Sequence, residues 1–142
     1  MNEIEKLLPH REPFLFVDEI VEATKEKIIT KRVFSENEYF FKGHFPEYPV
    51  VPGVILVETM AQSGGAGLRK QGVLGDDASQ QSSVFFFATV DKVKFRRQVR
   101  PGDEVRCEIE NLRVSPRMIK QRGMAYVGDE LAAEAEWMCL IG

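Results

Sequence analysis

A histidine and a glutamate fourteen positions apart are the residues of this chain best suited to acid–base chemistry. His44 lies in the stretch GHFPEYPVVPG, and the chain has only one other histidine. Because histidine has the side-chain pKa closest to neutrality, we predict that His44 is a general base. Glu58 is the only ionisable residue between Gly53 and Leu68. Apolar surroundings raise a carboxyl pKa, so we predict a general acid; the alternative is a structural carboxylate paired with an arginine or a backbone amide.

Gly53 and Gln62 are placed to complete such a site. Pro52 favours the first turn of a helix, which puts Gly53 where backbone amides lack an intrahelical acceptor. An amide at a helix start polarises a carbonyl oxygen aimed at it. Gln62 lies four residues after Glu58 on the same helix face; it is a candidate for orienting Glu58 and for substrate binding, or is simply one more polar residue. A base, an acid and a polarised carbonyl are what removal of water from a 3-hydroxyacyl group requires.

A proline-rich loop and a buried helix must position these groups. The loop spans Gly43–Pro52, and Gly43 allows an unusual backbone angle there. Pro46 and Pro49 are predicted to stiffen the loop and so to fix the imidazole. The helix is predicted from Gly53 to about Leu68. Its apolar residues cover most of the circumference, which is typical of a buried helix.

Strands make up most of the remaining sequence. Residues 14–23 and 27–35 are rich in β-branched and aromatic side chains and predict an early strand pair. After Ser83 the sequence is typical of strands, with turn signals at residues 101–103 and 128–129. Five or six antiparallel strands and one buried helix predict an α+β fold, with the sheet wrapped around the helix.

Length and composition limit the class of protein. The 142 residues fit one domain, and 44% hydrophobic with 29% charged residues is an ordinary globular composition. A net charge of −3 argues against a protein that coats nucleic acid. No run approaches the ~20 apolar residues that cross a bilayer, and no signal peptide is recognisable. Cys107 and Cys139 form no C-x-x-C pair, so we predict structural thiols in a single cytoplasmic domain over residues 1–142.

Residues 91–100 concentrate positive charge in this acidic chain. The basic residues are Lys92, Lys94, Arg96, Arg97 and Arg100. They form either a solvated strand face or a docking site for an acidic partner. Nucleic acid is a poorer match because no aromatic stacking platform interleaves with the charges. His10, His44 and Glu58 lack the ligand spacing of a metal site, and we predict neither a metal nor another cofactor.

Three stretches of the sequence resemble one enzyme family closely. LPHREPFLFVDEI, GHFPEYPVVPGVILVETMAQSGG and DKVKFRRQVRPGD are similar to the bacterial (3R)-3-hydroxyacyl-[acyl-carrier-protein] dehydratases of fatty acid synthesis. The resemblance covers nearly the whole chain. It implies a hot-dog fold, in which an antiparallel sheet wraps one long helix. It also implies dehydration of the (3R)-3-hydroxyacyl group on acyl carrier protein to the trans-2-enoyl product.

The resemblance assigns roles to individual residues. The family's catalytic histidine and glutamate fall on His44 and Glu58, and the glycine whose amide binds the thioester carbonyl falls on Gly53. His44 would take a proton from the carbon next to the thioester, and Glu58 would assist loss of the 3-hydroxyl. The acidic acyl carrier protein is the implied partner of the basic segment. The family also implies a homodimer with active sites shared between subunits, and suggests hexamers.

The sequence departs from the family pattern at three positions, and two other functions remain as alternatives. Glu47 stands where glycine is common, Thr59 where alanine is common, and Gln98 where proline is common. Related dehydratases that also isomerise the double bond carry aspartate in place of Glu58, which favours the plain dehydratase. A hot-dog thioesterase is an alternative, although a glutamate fourteen residues after GHFP is not its usual arrangement. A non-catalytic acyl-binding protein is the other.

Overall fold

The secondary structure comes from a computed structural model that describes residues 1–73 and 84–142. In chain order its elements are α1 (Glu3–Leu7), β1 (Glu19–Ala23), β2 (Lys27–Val33), a 3-10 helix (Tyr39–Lys42), α2 (Gly53–Lys70), β3 (Phe85–Phe95), β4 (Glu104–Val114), β5 (Met118–Val127) and β6 (Glu130–Ile141). In these two ranges neither α-helix combines the length and the hydrophobicity that a bilayer crossing requires.

The six strands form one antiparallel sheet in the order β1-β2-β4-β5-β6-β3. The long helix α2 packs against β1, β2, β4, β5 and β6. Its residues Ile55, Leu56, Met60 and Leu68 belong to the same buried cluster as the tryptophan and alanines of β6. The predicted α+β architecture, with a sheet around one helix, is confirmed.

Helix α2 begins at the predicted residue, Gly53, and runs for 18 residues. It ends two residues beyond the predicted Leu68, because Arg69 and Lys70 form a last turn in which positive charge suits the helix dipole. The helix is buried over most of its length, as its apolar pattern predicts. Val54 in the first turn is 73% exposed, and Lys70 at the end of the helix is exposed too. The Val54 side chain therefore faces open space, while Ile55 and Leu56 in the same turn pack into the core.

The first strand starts later than predicted. The pattern predicts a strand from residue 14, whereas β1 begins at Glu19. The reason is a side chain on α2: the amide of Phe16 donates to Oε1 of Gln62 (2.8 Å), and Nε2 of Gln62 donates to the carbonyl of Phe14 (3.1 Å). These groups are thus taken by the helix instead of a neighbouring strand. The segment is thereby tied to the part of α2 that carries Glu58.

Among the strands that the structure describes, β3 lies at one edge of the sheet and pairs with β6 alone. Its register shifts between Phe87 and Thr89 and again between Asp91 and Lys94, and Lys92 has a φ of 52°. These irregularities interrupt the regular pairing of β3 with β6. Large apolar side chains on β3 are 36% to 57% exposed, namely Phe86, Phe87, Val90, Val93 and Phe95. An open strand edge with exposed aromatic residues is a surface suited to pairing with another chain.

Candidate active site

The loop before α2 fixes the imidazole of His44 through its backbone. The 3-10 helix leads into the loop, and the amide of His44 donates to the carbonyl of Phe40 (2.8 Å). The ring nitrogen Nδ1 of His44 lies 3.0 Å from the carbonyl oxygen of Val50. Because a carbonyl oxygen only accepts hydrogen bonds, Nδ1 carries a proton, and in the neutral ring the lone pair is then on Nε2. The structure therefore presents Nε2 as the basic nitrogen.

Backbone strain in this loop lies at Phe45. Gly43 has a φ of −108° and so does not use the left-handed region that glycine allows. Phe45 has a φ of 59°, and its ring centroid lies 4.2 Å from that of His44. Phe45 is also the first residue of a tight turn, in which the amide of Tyr48 donates to the carbonyl of Phe45 (2.7 Å). Left-handed backbone in a residue other than glycine costs roughly 1–2 kcal/mol, and it is retained where neighbouring contacts enforce it.

His44 and the start of α2 line an open cavity of about 500 Å³. Gly53, Val54 and Phe95 contribute to its walls. A Cβ atom at Gly53 would lie 2.6 Å from the ring of Phe95. The ring can therefore cover the start of the helix because residue 53 has no side chain. Within the described residues, the amides of Gly53 and Val54 donate no backbone hydrogen bond. Both are free to bind a carbonyl oxygen that enters the cavity.

Glu58 lines a second and much smaller cavity, of about 30 Å³. This volume has room for little more than a water molecule. The Glu58 side chain is 17% exposed. Burial raises the pKa of its carboxyl group, and a hydrogen bond from Gln62 opposes that rise. The apolar surroundings that the sequence predicts for this carboxylate are therefore present in the fold.

Gln62 holds Glu58 in place. Its Nε2 donates to Oε2 of Glu58 (2.9 Å) and to the carbonyl of Phe14, while its Oε1 accepts from the amide of Phe16. Both amide hydrogens are thus used within the protein, and Gln62 is only 2% exposed. Its visible role is to orient the carboxylate. Direct contact between Gln62 and a substrate stays a prediction.

His10 is a member of this smaller cavity that sequence reasoning did not select. Its Nε2 lies 3.6 Å from Oε2 of Glu58. His10 belongs to the stretch LPHREPFLFVDEI, and the sequence favours a structural role for it or a place near the substrate entrance, not a catalytic role. Its proximity to Glu58 comes from the way the N-terminal segment crosses α2.

The two predicted catalytic residues do not meet within one chain. His44 lines the large cavity and Glu58 the small one, and neither residue lines both. No hydrogen bond joins their side chains; the imidazole of His44 contacts Val50, and the carboxylate of Glu58 contacts Gln62. One chain therefore presents a base with a carbonyl-binding amide in one place and a buried acid in another.

Comparison with known proteins identifies the family. The FabA-like domain family matches residues 8–136. The 3-hydroxyacyl-[acyl-carrier-protein] dehydratase FabZ of Desulforamulus reducens is 45% identical over 143 residues, which cover 100% of this chain and 96% of that protein. The FabZ of Pelotomaculum thermopropionicum is 47% identical over 140 residues, covering 97% and 95%. The chain belongs to the FabZ dehydratase family.

Solved structures show that this FabZ family member has the hot-dog fold. The dehydratase heterocomplex ApeI:P from Xenorhabdus doucetiae matches with a TM-score of 0.81 at 15% identity, covering 100% of this chain and 92% of that one. The PaaI protein of E. coli, from the phenylacetic acid degradation operon, matches with a TM-score of 0.63 at 10% identity, covering 86% and 81%. At these identities the likeness concerns the fold alone.

Most of the basic residues of the predicted docking segment are paired with acids. Lys92 lies 3.3 Å from Glu136, and Arg96 lies 2.7 Å from Glu134, both partners being on β6. Arg97 lies 3.4 Å from carboxylate oxygens of Asp103 and Glu130. These pairs reduce the net positive charge of the segment. Arg96 and Arg97 nevertheless line the cavity of His44, whereas Lys92 and Lys94 do not.

Two of the three departures from the FabZ family pattern have a visible partner. Oε1 of Gln98 accepts a hydrogen bond from the hydroxyl of Tyr48 (2.7 Å), which ties the His44 loop to the segment after β3. Thr59 is fully buried, and its hydroxyl donates to the carbonyl of Ile55 one turn earlier (2.7 Å). Glu47 is exposed, and nothing in the structure explains it.

Proposed function

We propose that this protein removes water from (3R)-3-hydroxyacyl groups carried on acyl carrier protein, in fatty acid biosynthesis. The curated relatives are 3-hydroxyacyl-[acyl-carrier-protein] dehydratases, which supports this reaction and carrier. The assignment of catalytic roles rests on one observation: His44 and Gly53 line one cavity, and Glu58 lines another. His44 with Gly53 is suited to binding the thioester and removing a proton, and Glu58 is suited to supplying one.

The reaction begins at the carbon next to the thioester, C2. The amide of Gly53 donates to the thioester carbonyl, which makes the hydrogens on C2 more acidic. Nε2 of His44 takes one of these protons, and the hydrogen bond from Nδ1 to Val50 keeps the ring in position. The electron pair of the broken C–H bond then forms the double bond between C2 and C3.

Loss of water completes the step. Glu58 donates its proton to the 3-hydroxyl as the C3–O bond breaks, and a water molecule leaves. The raised pKa of Glu58 favours the protonated form needed for this role. His44 then returns its proton to water and Glu58 regains one, so the protein is unchanged. The substrate has become a trans-2-enoyl thioester.

We further propose that each complete site forms between two chains of a homodimer. Phe87, near the start of β3, lines the cavity of Glu58, and Phe95, at the end of β3, lines the cavity of His44. If two β3 edges pair antiparallel about a two-fold axis, the start of one strand lies beside the end of the other. Such pairing would bring Glu58 of one chain to the His44 side of its partner. It would also cover the exposed apolar residues of β3.

Acyl carrier protein is proposed to dock beside the His44 cavity. Arg96 and Arg97 are the basic residues that line it, so they are better placed for this role than Lys92 and Lys94. Hexamers, which the family suggests, stay a prediction. We also propose a cytoplasmic location, since Cys107 and Cys139 are free and buried thiols that suit a reducing compartment.

The reaction type is tested by two assays run on one 3-hydroxybutyryl thioester. We expect absorbance at the enoyl wavelength to rise while no free thiol appears. Release of thiol would instead identify a thioesterase, because hydrolysis breaks the thioester bond that dehydration preserves. Silence in both assays, in protein shown to be folded, would support a non-catalytic acyl-binding protein.

A further inference from the structure

His10 reaches the buried face of Glu58 from the N-terminal segment between α1 and β1. The two side chains are 19% and 17% exposed, and Nε2 of His10 lies 3.6 Å from Oε2 of Glu58. The backbone around His10 is held in place: the guanidinium of Arg11 donates to the carbonyls of Leu8 and His10 at 2.8 and 2.7 Å. Leu8 in turn is buried in a cluster that includes Ala66 of α2. The backbone that carries the His10 side chain is therefore held in place on both sides of Pro9.

The polar groups around Glu58 are few. They are Gln62 on α2, His10 in the N-terminal segment and Cys139 on β6. Burial raises the pKa of the Cys139 thiol to about 12, so the thiol is neutral. The remaining walls of the cavity, on α2, β3 and β5, are apolar: Ala61, Phe85, Phe87 and Ile119. Arg11 adjoins His10 and is the nearest fixed charge that affects it. Among the described residues, Gln62 and His10 are the N–H donors close to the carboxyl, and the S–H of Cys139 is only a weak donor.

The protonation of His10 follows from its surroundings. Burial, and next the charge of Arg11, lower its pKa, so the ring is neutral near neutral pH and carries one N–H. Nδ1 is buried and has no hydrogen-bond partner among the described residues. A hydrogen on Nδ1 would be buried without an acceptor, whereas a hydrogen on Nε2 faces the carboxyl oxygen of Glu58. The Nε2–H tautomer is therefore favoured.

Both donors approach the same oxygen. Nε2 of Gln62 donates to Oε2 of Glu58, and Nε2 of His10 faces that atom too. Oε1 makes no hydrogen bond within residues 1–73 and 84–142. We infer that His10 is a positioning residue which, with Gln62, makes Oε2 the accepting oxygen of Glu58 and so keeps the transferable proton on Oε1. This inference rests on the proposed role of Glu58 as the acid of the dehydration.

The contact would contribute most while the proton is leaving. When Oε1 gives its proton to the 3-hydroxyl, negative charge spreads over the carboxylate. A hydrogen bond to a charged oxygen is shorter and roughly twice as strong as one to a neutral oxygen. The 3.6 Å gap is thus expected to close as the charge develops. Stabilisation that grows during the reaction lowers the barrier, whereas equal stabilisation throughout would not.

Three variants separate this role from simple packing. His10→Phe keeps the ring volume and removes the donor; His10→Asn keeps a donor that is too short to reach Oε2; His10→Gln places an amide N–H near the position of Nε2. We expect His10→Phe and His10→Asn to lower kcat about tenfold while KM for a short 3-hydroxyacyl thioester changes less than about threefold. His10→Gln should recover kcat to within about threefold of the wild type.

The pH profile gives a readout that packing alone would not move. The rate depends on protonated Glu58, so it falls as pH rises through the pKa of that carboxyl. Removing a donor that stabilises the carboxylate raises this pKa. The alkaline limb should therefore move to higher pH in His10→Phe and His10→Asn, and stay near the wild-type position in His10→Gln.

A titration without substrate tests His10 independently of the reaction. Carbon-13 NMR of glutamate-labelled protein, with the signal assigned by Glu58→Gln, should show a higher Glu58 pKa in His10→Phe and His10→Asn than in the wild type. An unchanged pKa together with kcat within about twofold of wild type in both variants would overturn the inference. A wild-type protein that does not dehydrate would refute the proposed function instead, and the titration would still decide the His10 contact.

Discussion

Two inactive variants are expected to restore each other's activity when they share a dimer. His44→Ala and Glu58→Ala should each lower turnover at least ~100-fold, the usual contribution of an acid–base catalyst. In a mixed dimer with shared sites, one site would receive both substitutions and the other neither. The separation of His44 and Glu58 into two cavities of one chain is the structural reason for this expectation.

The size of the recovery follows from the location of the substitutions. His44 lies on a loop and Glu58 on α2, so neither substitution alters β3, the strand proposed to pair. The two kinds of chain should therefore assort at random, and half of the dimers will be mixed. One of the two sites in each mixed dimer is intact, so about a quarter of all sites become competent. The expected rate is about a quarter of that of wild-type protein taken through the same procedure.

The assay is enoyl absorbance after equal amounts of the two chains are unfolded together and refolded. Refolded wild type sets the upper limit. The matched control pairs His44→Ala with a chain that carries both substitutions, because that mixture contains no intact site under any arrangement and must stay inactive. If the test mixture also stays inactive while wild type recovers, His44 and Glu58 act within one chain and the shared site is refuted.

Three further outcomes are expected. The pKa of Glu58 is higher in the folded than in the unfolded protein, so its protonated form favours folding. The contribution of Glu58 to the free energy of unfolding is therefore complete below about pH 4 and is lost as the pH rises through the folded pKa. Thermal unfolding should therefore show Glu58→Gln melting above wild type at pH 8 and at the same temperature near pH 4, and a constant difference would contradict this linkage. Gln62→Leu should lower the free energy of unfolding in urea by about 1–3 kcal/mol, since it strands the buried amide of Phe16, and no loss would mean that this amide finds another acceptor. Reversing Arg96 and Arg97 to glutamate should raise KM for carrier-linked substrate much more than for a pantetheine analogue, and added salt should weaken the wild-type interaction likewise. Equal effects on both substrates would make the segment a solvated face.

Predictions that depend on neighbouring residues were the accurate ones. The start of α2 at Gly53 follows from Pro52 and from the apolar run behind it, all within two helical turns. The burial of Glu58 follows from the same run. The predicted strand boundary at residue 14 was wrong, because that boundary depends on hydrogen bonds from a side chain of α2.

The sequence by itself determined the fold class, the buried helix and the two residues suited to acid–base chemistry, since each depends on local periodicity, breakers and residue type. Tertiary structure alone decided what surrounds them. The hydrogen bonds of Gln62 to residues 46 and 48 positions away, and the contact of His10 with Glu58, require the N-terminal segment to cross α2. The pairing of Arg96 with Glu134, 38 positions later, requires β3 and β6 to be neighbours. Such contacts depend on which elements pack together, and no local pattern of side chains encodes that choice.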